Sequence, residues 1–192
     1  MSGVRTVVVA GNPRAGSRTR TAAELAARAV LDAGGLGGGP CTVVDLAELA
    51  PYLLAAPTPE TVKAAVATAV EADLLVVASP TYKGTYTGLL KVFLDQIGTG
   101  ALAGSVAIPL LVMGSPAHTL AVETHLRPLL VELGAQVPTP GLALIESDLP
   151  DPPPDSVREV PPTVLSDWAA RVGPSVRRLV AARLPEPEEA RP

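Results

Sequence analysis

The chain has 192 residues, enough for one compact domain with a sizeable core, and 47% of them are hydrophobic, which excludes a disordered polymer. Its 15 basic and 19 acidic residues leave a formal net charge of −4, a balance that argues against nucleic acid as the main partner. The single cysteine, Cys41, cannot close an internal disulfide and fits a reducing cytoplasm, and neither a signal peptide nor an apolar run long enough to cross a bilayer is evident.

The first element is a β-branched run, Val7-Val8-Val9, that leads into Gly11-Asn12-Pro13 and reads as a strand buried on both faces. Beyond the turn, Ala22, Ala23, Leu25, Ala26, Ala29 and Val30 recur at amphipathic-helix spacing. The intervening loop holds Arg14, Ser17, Arg18, Thr19 and Arg20. A helix start offers unpaired N–H groups and partial positive charge, so it suits a phosphate. Ser17 and Thr19 are placed to cap the helix, to donate to phosphate oxygens, or to do both, and solvated arginines around a capped helix remain the alternative. The loop is neither a G-x-G-x-x-G dinucleotide fingerprint nor a Walker A loop.

Residues 34–39 form a glycine-rich stop, and Cys41–Asp45 reads as a second strand, with Cys41 simply beginning it. Residues 46–59 are a loop or short irregular helix broken by Pro51 and Pro57. Thr58 or Thr61 is placed to cap a helix holding Val62, Ala65, Val66, Ala69 and Val70. Residues 74–78, LLVVA, show no polar alternation and read as a central strand. The loop at 79–87 opens a helix with Leu89, Leu90, Phe93, Leu94 and Ile97 on one face.

Residues 105–113 read as a fourth strand despite Pro109, which removes a ladder donor and is expected at an edge or bulge. Gly114-Ser115-Pro116 then opens a helix carrying Leu120, Leu126, Leu129, Leu130 and Leu133. It contains Pro128. Residues 136–145 supply a last strand, interrupted near 138–141. Residues 149–162 read as a stiff connector. The final helix carries Val164, Leu165, Trp168, Val172, Val176 and Leu179, with a kink expected at Gly173-Pro174, and residues 185–192 read as a frayed tail beyond a single domain at 1–184.

Alternating strands and helices imply an α/β protein: a three-layer, doubly wound parallel sheet of about five strands, covered on both faces. Ligands of such sheets sit at the C-terminal strand ends, which singles out loops 11–19, 79–86 and 114–118. In the second of these, Pro80, Gly84 and Gly88 let the backbone approach a planar ligand, and Tyr82 and Tyr86 offer flat faces in a chain that is only 3% aromatic. Half-buried loop anchors are the structural alternative for both tyrosines. No set of His, Cys and carboxylates has metal-site spacing; His118 and His125 read as a loop contact and a helix-surface residue.

Gly11-Asn12-Pro13-Arg14 with Ser17-Arg18-Thr19, followed by Ser79-Pro80-Thr81-Tyr82-Lys83-Gly84 and Tyr86-Thr87-Gly88-Leu89-Leu90-Lys91, resembles the NAD(P)H-dependent FMN reductases of flavodoxin-like fold. Gly114-Ser115 and AHTLAVETHLRPLL are similar in particular to reductase components of two-component flavin monooxygenase systems, and this likeness implies an inserted residue near Thr124 or His125, hence an irregular turn, a π-bulge, there. The likeness spans roughly residues 7–134, with one departure at Asn12, where these proteins more often carry serine.

The resemblance implies FMN and NAD(P)H as the ligands, and an oxidoreductase that passes hydride from nicotinamide to FMN and supplies a partner monooxygenase. It implies that Asn12, Arg14, Ser17, Arg18 and Thr19 hold the FMN phosphate. Pro80, Thr81, Tyr82, Lys83 and Gly84 would border the isoalloxazine, with Gly114 and Ser115 closing the other side. No catalytic side chain and no metal is implied. A cytoplasmic homodimer or homotetramer is expected, with the irregular turn of the Pro128 helix at the subunit contact. Two alternatives stay open: an FMN-bound quinone or azo reductase, and a flavodoxin-type electron carrier. The usual Thr/Ser-x-Thr-Gly-x-Thr phosphate loop of such carriers is absent.

Overall fold

A computed structural model describes residues 3–37, 41–149 and 163–183. Five strands, β1 (Thr6–Ala10), β2 (Cys41–Asp45), β3 (Leu74–Pro80), β4 (Val106–Met113) and β5 (Leu142–Ile145), form one all-parallel sheet in the order β2-β1-β3-β4-β5. The expected connector and tail at 149–162 and 185–192 fall, but for Leu149, outside the described residues.

Strand alternation sends successive side chains to opposite faces, and each face finds its own helices. On one side Val8, Val76, Ala78, Ile108 and Leu110 pack under α1 (Arg18–Gly34) and α6 (Thr163–Ala181). On the other, Val7, Val9, Leu75, Val77 and Leu111 meet α2 (Leu46–Leu49), α3 (Glu60–Val70), α4 (Gly88–Leu94) and α5 (Arg127–Glu132). The three-layer α/β architecture is the expected one. Because β1 and β3 are buried on both sides, each reads as a continuous apolar run rather than an alternating one.

Pro109 lies within β4 but loses no ladder partner. Alternate amides of a strand point to opposite neighbours, and the Ala107 N–H donates to Gln136 O at 2.8 Å, on the β5 side. The nitrogen of Pro109 faces that same side, in the gap between the Gln136 bridge and the start of β5 pairing at Leu142. Neither an edge strand nor a bulge is needed.

Other expectations need correction. The N-cap of α3 is Pro59, with no side-chain cap from Thr58 or Thr61. The single helix expected from Pro116 is three pieces: a 3-10 turn at Pro116–His118, a π turn at Val122–Leu126, and α5. Leu120, placed on its apolar face, is 72% exposed. The π turn closes with the Arg127 N–H donating to Val122 O and includes both positions of the expected irregularity. Pro128 has no N–H and its ring would collide with an α-helical Thr124 carbonyl, so a widened turn relieves both problems.

Helix α6 continues through Gly173 and Pro174, the site of the expected kink, without ending there. Gly173 matters for packing instead: a Cβ there would lie 2.9 Å from Ala33 Cβ, 3.0 Å from the Ala33 carbonyl carbon and 3.0 Å from the Gly34 nitrogen of α1. Helix propensity alone would make Gly173→Ala stabilising by about 1 kcal/mol. The backbone collision is larger, roughly 1–3 kcal/mol, and decides the sign. Chemical denaturation of Gly173→Ala should therefore show a net loss of stability; a gain would mean that α1 and α6 separate at little cost.

Candidate functional site

Between β1 and β3 the chain changes direction: β1 connects through α1 to β2 on one side, and β3 through α4 to β4 on the other. The two following loops diverge and leave a crevice at the strand C-termini. Its floor is tied at Gly11. The Gly11 N–H donates to Ala78 O at 2.7 Å, and its carbonyl accepts from Thr87 Oγ1 at 2.6 Å. A Cβ here would lie 2.8 Å from Leu90 Cβ and 3.1 Å from Ala78 O, so only glycine admits α4 this close. Thr87 also caps α4, accepting from the Leu90 N–H at 3.1 Å, while Ser79 Oγ accepts from the Thr87 N–H at 3.0 Å.

The first loop is held by its own side chains. Buried Asn12 accepts from the Arg14 N–H at 2.9 Å and donates through Nδ2 to Thr19 Oγ1 at 3.1 Å. Ser17 is the N-cap of α1, accepting from the Arg20 N–H at 3.3 Å. The capping role left open by the sequence is therefore real. Asp45, its side chain 2% exposed, accepts from the Gly16 N–H and from Arg20 Nη1, both at 3.4 Å, and from the Ala47 N–H at 3.2 Å. Arg20 also donates to Glu24 at 2.9 Å, and that hydrogen bond, with the fields of Glu24 and Asp45, holds its guanidinium above its ordinary pKa. Arg18 Nη1 pairs with Glu146 at 3.3 Å. The exposed Arg14 side chain makes no hydrogen bond or ion pair with the described residues.

The second loop closes in a tight turn. Tyr82 and Thr85 exchange backbone hydrogen bonds at 2.9 and 3.3 Å across Lys83 (φ 54) and Gly84 (φ 82), the positive-φ pair of a type I′ turn. Lys83 is the one non-glycine residue with positive φ among those described, a conformation that costs about 1–2 kcal/mol. The Thr81 N–H donates to Val112 O at 2.7 Å, while its buried Oγ1 has no partner among the described residues.

A cleft of about 460 Å³ opens between these loops. It brings together Asn12, Arg14, Ser17, Arg18, Thr19, Pro80 and Tyr82 from the sequence expectations. Thr81, Lys83, Gly84, Gly114 and Ser115 do not line it; Ser115 instead caps the 3-10 turn, accepting from the Ala117 N–H at 3.3 Å. Sequence reasoning missed Val112 and Glu146, which also line the cleft, and Asp45, which fixes its loop. Asp45 carries a local signal as the N-cap of α2. Glu146 carries none, because only the strand order brings the end of β5 here.

Glu146 follows β5, and the start of β5 is anchored from the π turn. Glu123 accepts from the Gly141 N–H and from Arg127 Nε, and Arg127 in turn donates to the carbonyls of Val137 and Thr139. The Arg127 hydrogen bond, helped by the Gly141 N–H, holds the Glu123 carboxyl below its ordinary value of 4.5. Away from the cleft, burial pushes the Cys41 thiol up to about 11. Among the described residues no group of His, Cys, Asp and Glu could hold a metal ion, and no helix is long and apolar enough to cross a membrane.

A sheet of order 2-1-3-4-5 with an anion-suited helix start at its switch point defines a flavodoxin-like α/β protein. The family model described as NADPH-dependent FMN reductase matches residues 4–149, and the chain belongs to that family. The FMN reductase (NADPH) of Escherichia coli (strain K12) is 48% identical over 66 residues, 34% of this chain and 35% of that protein. The FMN reductase (NADPH) of Pseudomonas putida (strain KT2440) is 39% identical over 79 residues, 41% of this chain and 40% of that protein. The chain thus matches well under two thirds of the length of these curated relatives. Among solved structures, the apo form of the NADH:FMN oxidoreductase EMOB superimposes with a TM-score of 0.72 at 30% identity, covering 98% of this chain and 94% of that one. An oxidoreductase from Corynebacterium diphtheriae gives 0.76 at 29% identity, covering 94% and 99%.

The residues present fit FMN. The first turn of α1 supplies amides and hydroxyls for a phosphate, and Arg14 a cation with no protein partner among the described residues.

The Glu123 anchor sets a pH dependence. Its folded pKa is depressed, so its contribution to stability is complete above the unfolded value and is lost as pH falls through the folded one. Thermal melts of wild type and Glu123→Gln from neutral pH downward should show a wild-type advantage that shrinks below about pH 4.5. A difference constant with pH would mean that the carboxylate charge adds nothing here.

Proposed function

We propose that this protein is an NAD(P)H-dependent FMN reductase that hands reduced FMN to a partner flavin monooxygenase. The observation that carries the reading is one cleft into which a helix start, two hydroxyls, two arginines and the wall of Pro80 and Tyr82 all face. FMN bound there would supply the redox chemistry, accepting hydride from reduced nicotinamide.

The work of the chain is binding and orientation. Arg14, Arg18 and the first-turn amides of α1 would hold the phosphate, with Asn12 fixing the loop that presents them. Ser17 Oγ accepts from the Arg20 N–H and so keeps its own proton to donate outward; Thr19 Oγ1 does the same while accepting from Asn12. Pro80, Thr81, Tyr82, Lys83 and Gly84 would border the ring, their turn held by the Tyr82–Thr85 hydrogen bonds, and Gly114 and Ser115 would close the far side. No side-chain acid or base is assigned. Relatives described as NADH-dependent FMN reductases SfnF and SfnE match 38% over 81 and 34% over 93 residues, so both nicotinamides belong in the test. A single cysteine suits a cytoplasmic setting. For a homodimer or homotetramer, this reading uses the π turn with exposed Leu120 and Val131 beside it as the contact.

With FMN and NADPH or NADH, the purified protein should oxidise the nicotinamide in steady state. No turnover with either, beside a bound flavin that cycles with a chemical reductant, would make it an electron carrier.

Ser17→Ala separates its two roles. Loss of the cap should lower stability by about 0.5–2 kcal/mol in a thermal melt. Loss of a charge-assisted hydrogen bond should weaken FMN roughly ten- to a hundredfold and leave riboflavin, which has no phosphate, nearly unchanged. Equal losses for both flavins would leave Ser17 as a cap alone.

A further inference from the structure

The phosphate end of the cleft is nearly charge-balanced by its own side chains. Arg20 is engaged by Glu24 and Asp45, and Arg18 by Glu146. The two arrangements differ in kind. Asp45 has a side chain 2% exposed and is fixed by two backbone amides, so Arg20 is a permanent part of the loop. Glu146 is 54% exposed, its partner Arg18 is 38% exposed, and both line the cleft. An ion pair this wet is weak and easily exchanged.

We propose that Glu146 is a specificity residue that competes with the flavin phosphate for Arg18 and so keeps FMN exchangeable. The inference rests on the FMN-binding reading above and adds a residue to it. A phosphate monoester carries about −1.5 to −2 charges at neutral pH, so a carboxylate in the same cleft wall repels it as well as occupying its cation. Arg18 must leave Glu146 to meet the phosphate with the full fork of its guanidinium. The chemistry suits a protein that binds FMN and releases its reduced form, since a fully cationic cradle would retain both. Riboflavin, with no phosphate, is indifferent to this competition.

The test is fluorescence titration of the flavin-free protein with FMN and with riboflavin. The variants are Glu146→Gln, Arg18→Gln, the double variant, and Glu132→Gln as an exposed carboxylate on α5. Glu146→Gln should tighten FMN roughly three- to tenfold with riboflavin unchanged, and the gain should shrink in the Arg18→Gln background. Glu132→Gln, which makes the same change in net charge, should alter neither. Weaker FMN binding by Glu146→Gln would overturn the proposal by showing that Glu146 positions Arg18 for the phosphate. No change, an equal change for both flavins, or the same gain from Glu132→Gln would also overturn it. A wild-type protein that binds neither flavin would instead remove the FMN-binding reading itself, and this proposal with it.

Discussion

The buried junction at Gly11 is the constraint on which the rest of the site depends. One residue directly follows β1, accepts from the Thr87 hydroxyl and donates to Ala78 O of β3, with no room for a Cβ beneath Leu90. A hydrogen bond in such a dry environment is costly to break, because either partner would be left unpaired and unsolvated. The two loops of the cleft are therefore referenced to one rigid point, although their residues lie far apart in the chain. The positive-φ turn at Lys83-Gly84 is held open from that base by the Tyr82–Thr85 pair.

The carboxylates they meet divide the arginines of the first loop. Arg20 faces the shielded Asp45 carboxylate and serves the architecture of the loop. Arg18 meets the half-exposed Glu146, and Arg14 faces solvent without a partner among the described residues. Three arginines that look equivalent in sequence thus have three different availabilities for an anion. The burial of the facing carboxylate, not spacing, separates them.

Much of this was legible in the residues because parallel strands and amphipathic helices write long, regular patterns. The run Val7-Val8-Val9 and the Cys41–Asp45 strand emerge where expected, since both depend on local chemistry and burial. The π turn was also foreseen, because Pro128 forces a local exception and the family likeness pointed to an inserted residue. What was not legible depends on tertiary neighbours. Pro109 is tolerated because β5 begins one residue later in register, and Gly173 is glycine because α1 passes beneath it. Glu146 reaches the cleft through strand order alone. The fold was readable from periodicity, and the first loop of the cleft from its hydroxyls, arginines and helix start. Glu146, the carboxylate that reaches Arg18 from the end of β5, had no local signature.

The central claim is that the first turn of α1 receives the phosphate of FMN. Amide hydrogen exchange of the protein with FMN, with riboflavin and with no flavin tests it most directly, because the amides of Arg18 and Thr19 precede the first i→i−4 bond of α1, from the Thr21 N–H to Ser17 O. FMN should slow exchange across residues 16–19 well beyond the effect of riboflavin, while both flavins protect residues 80–84 alike. Equal protection of 16–19 by the two flavins, or FMN binding that leaves this turn unprotected, would contradict the account.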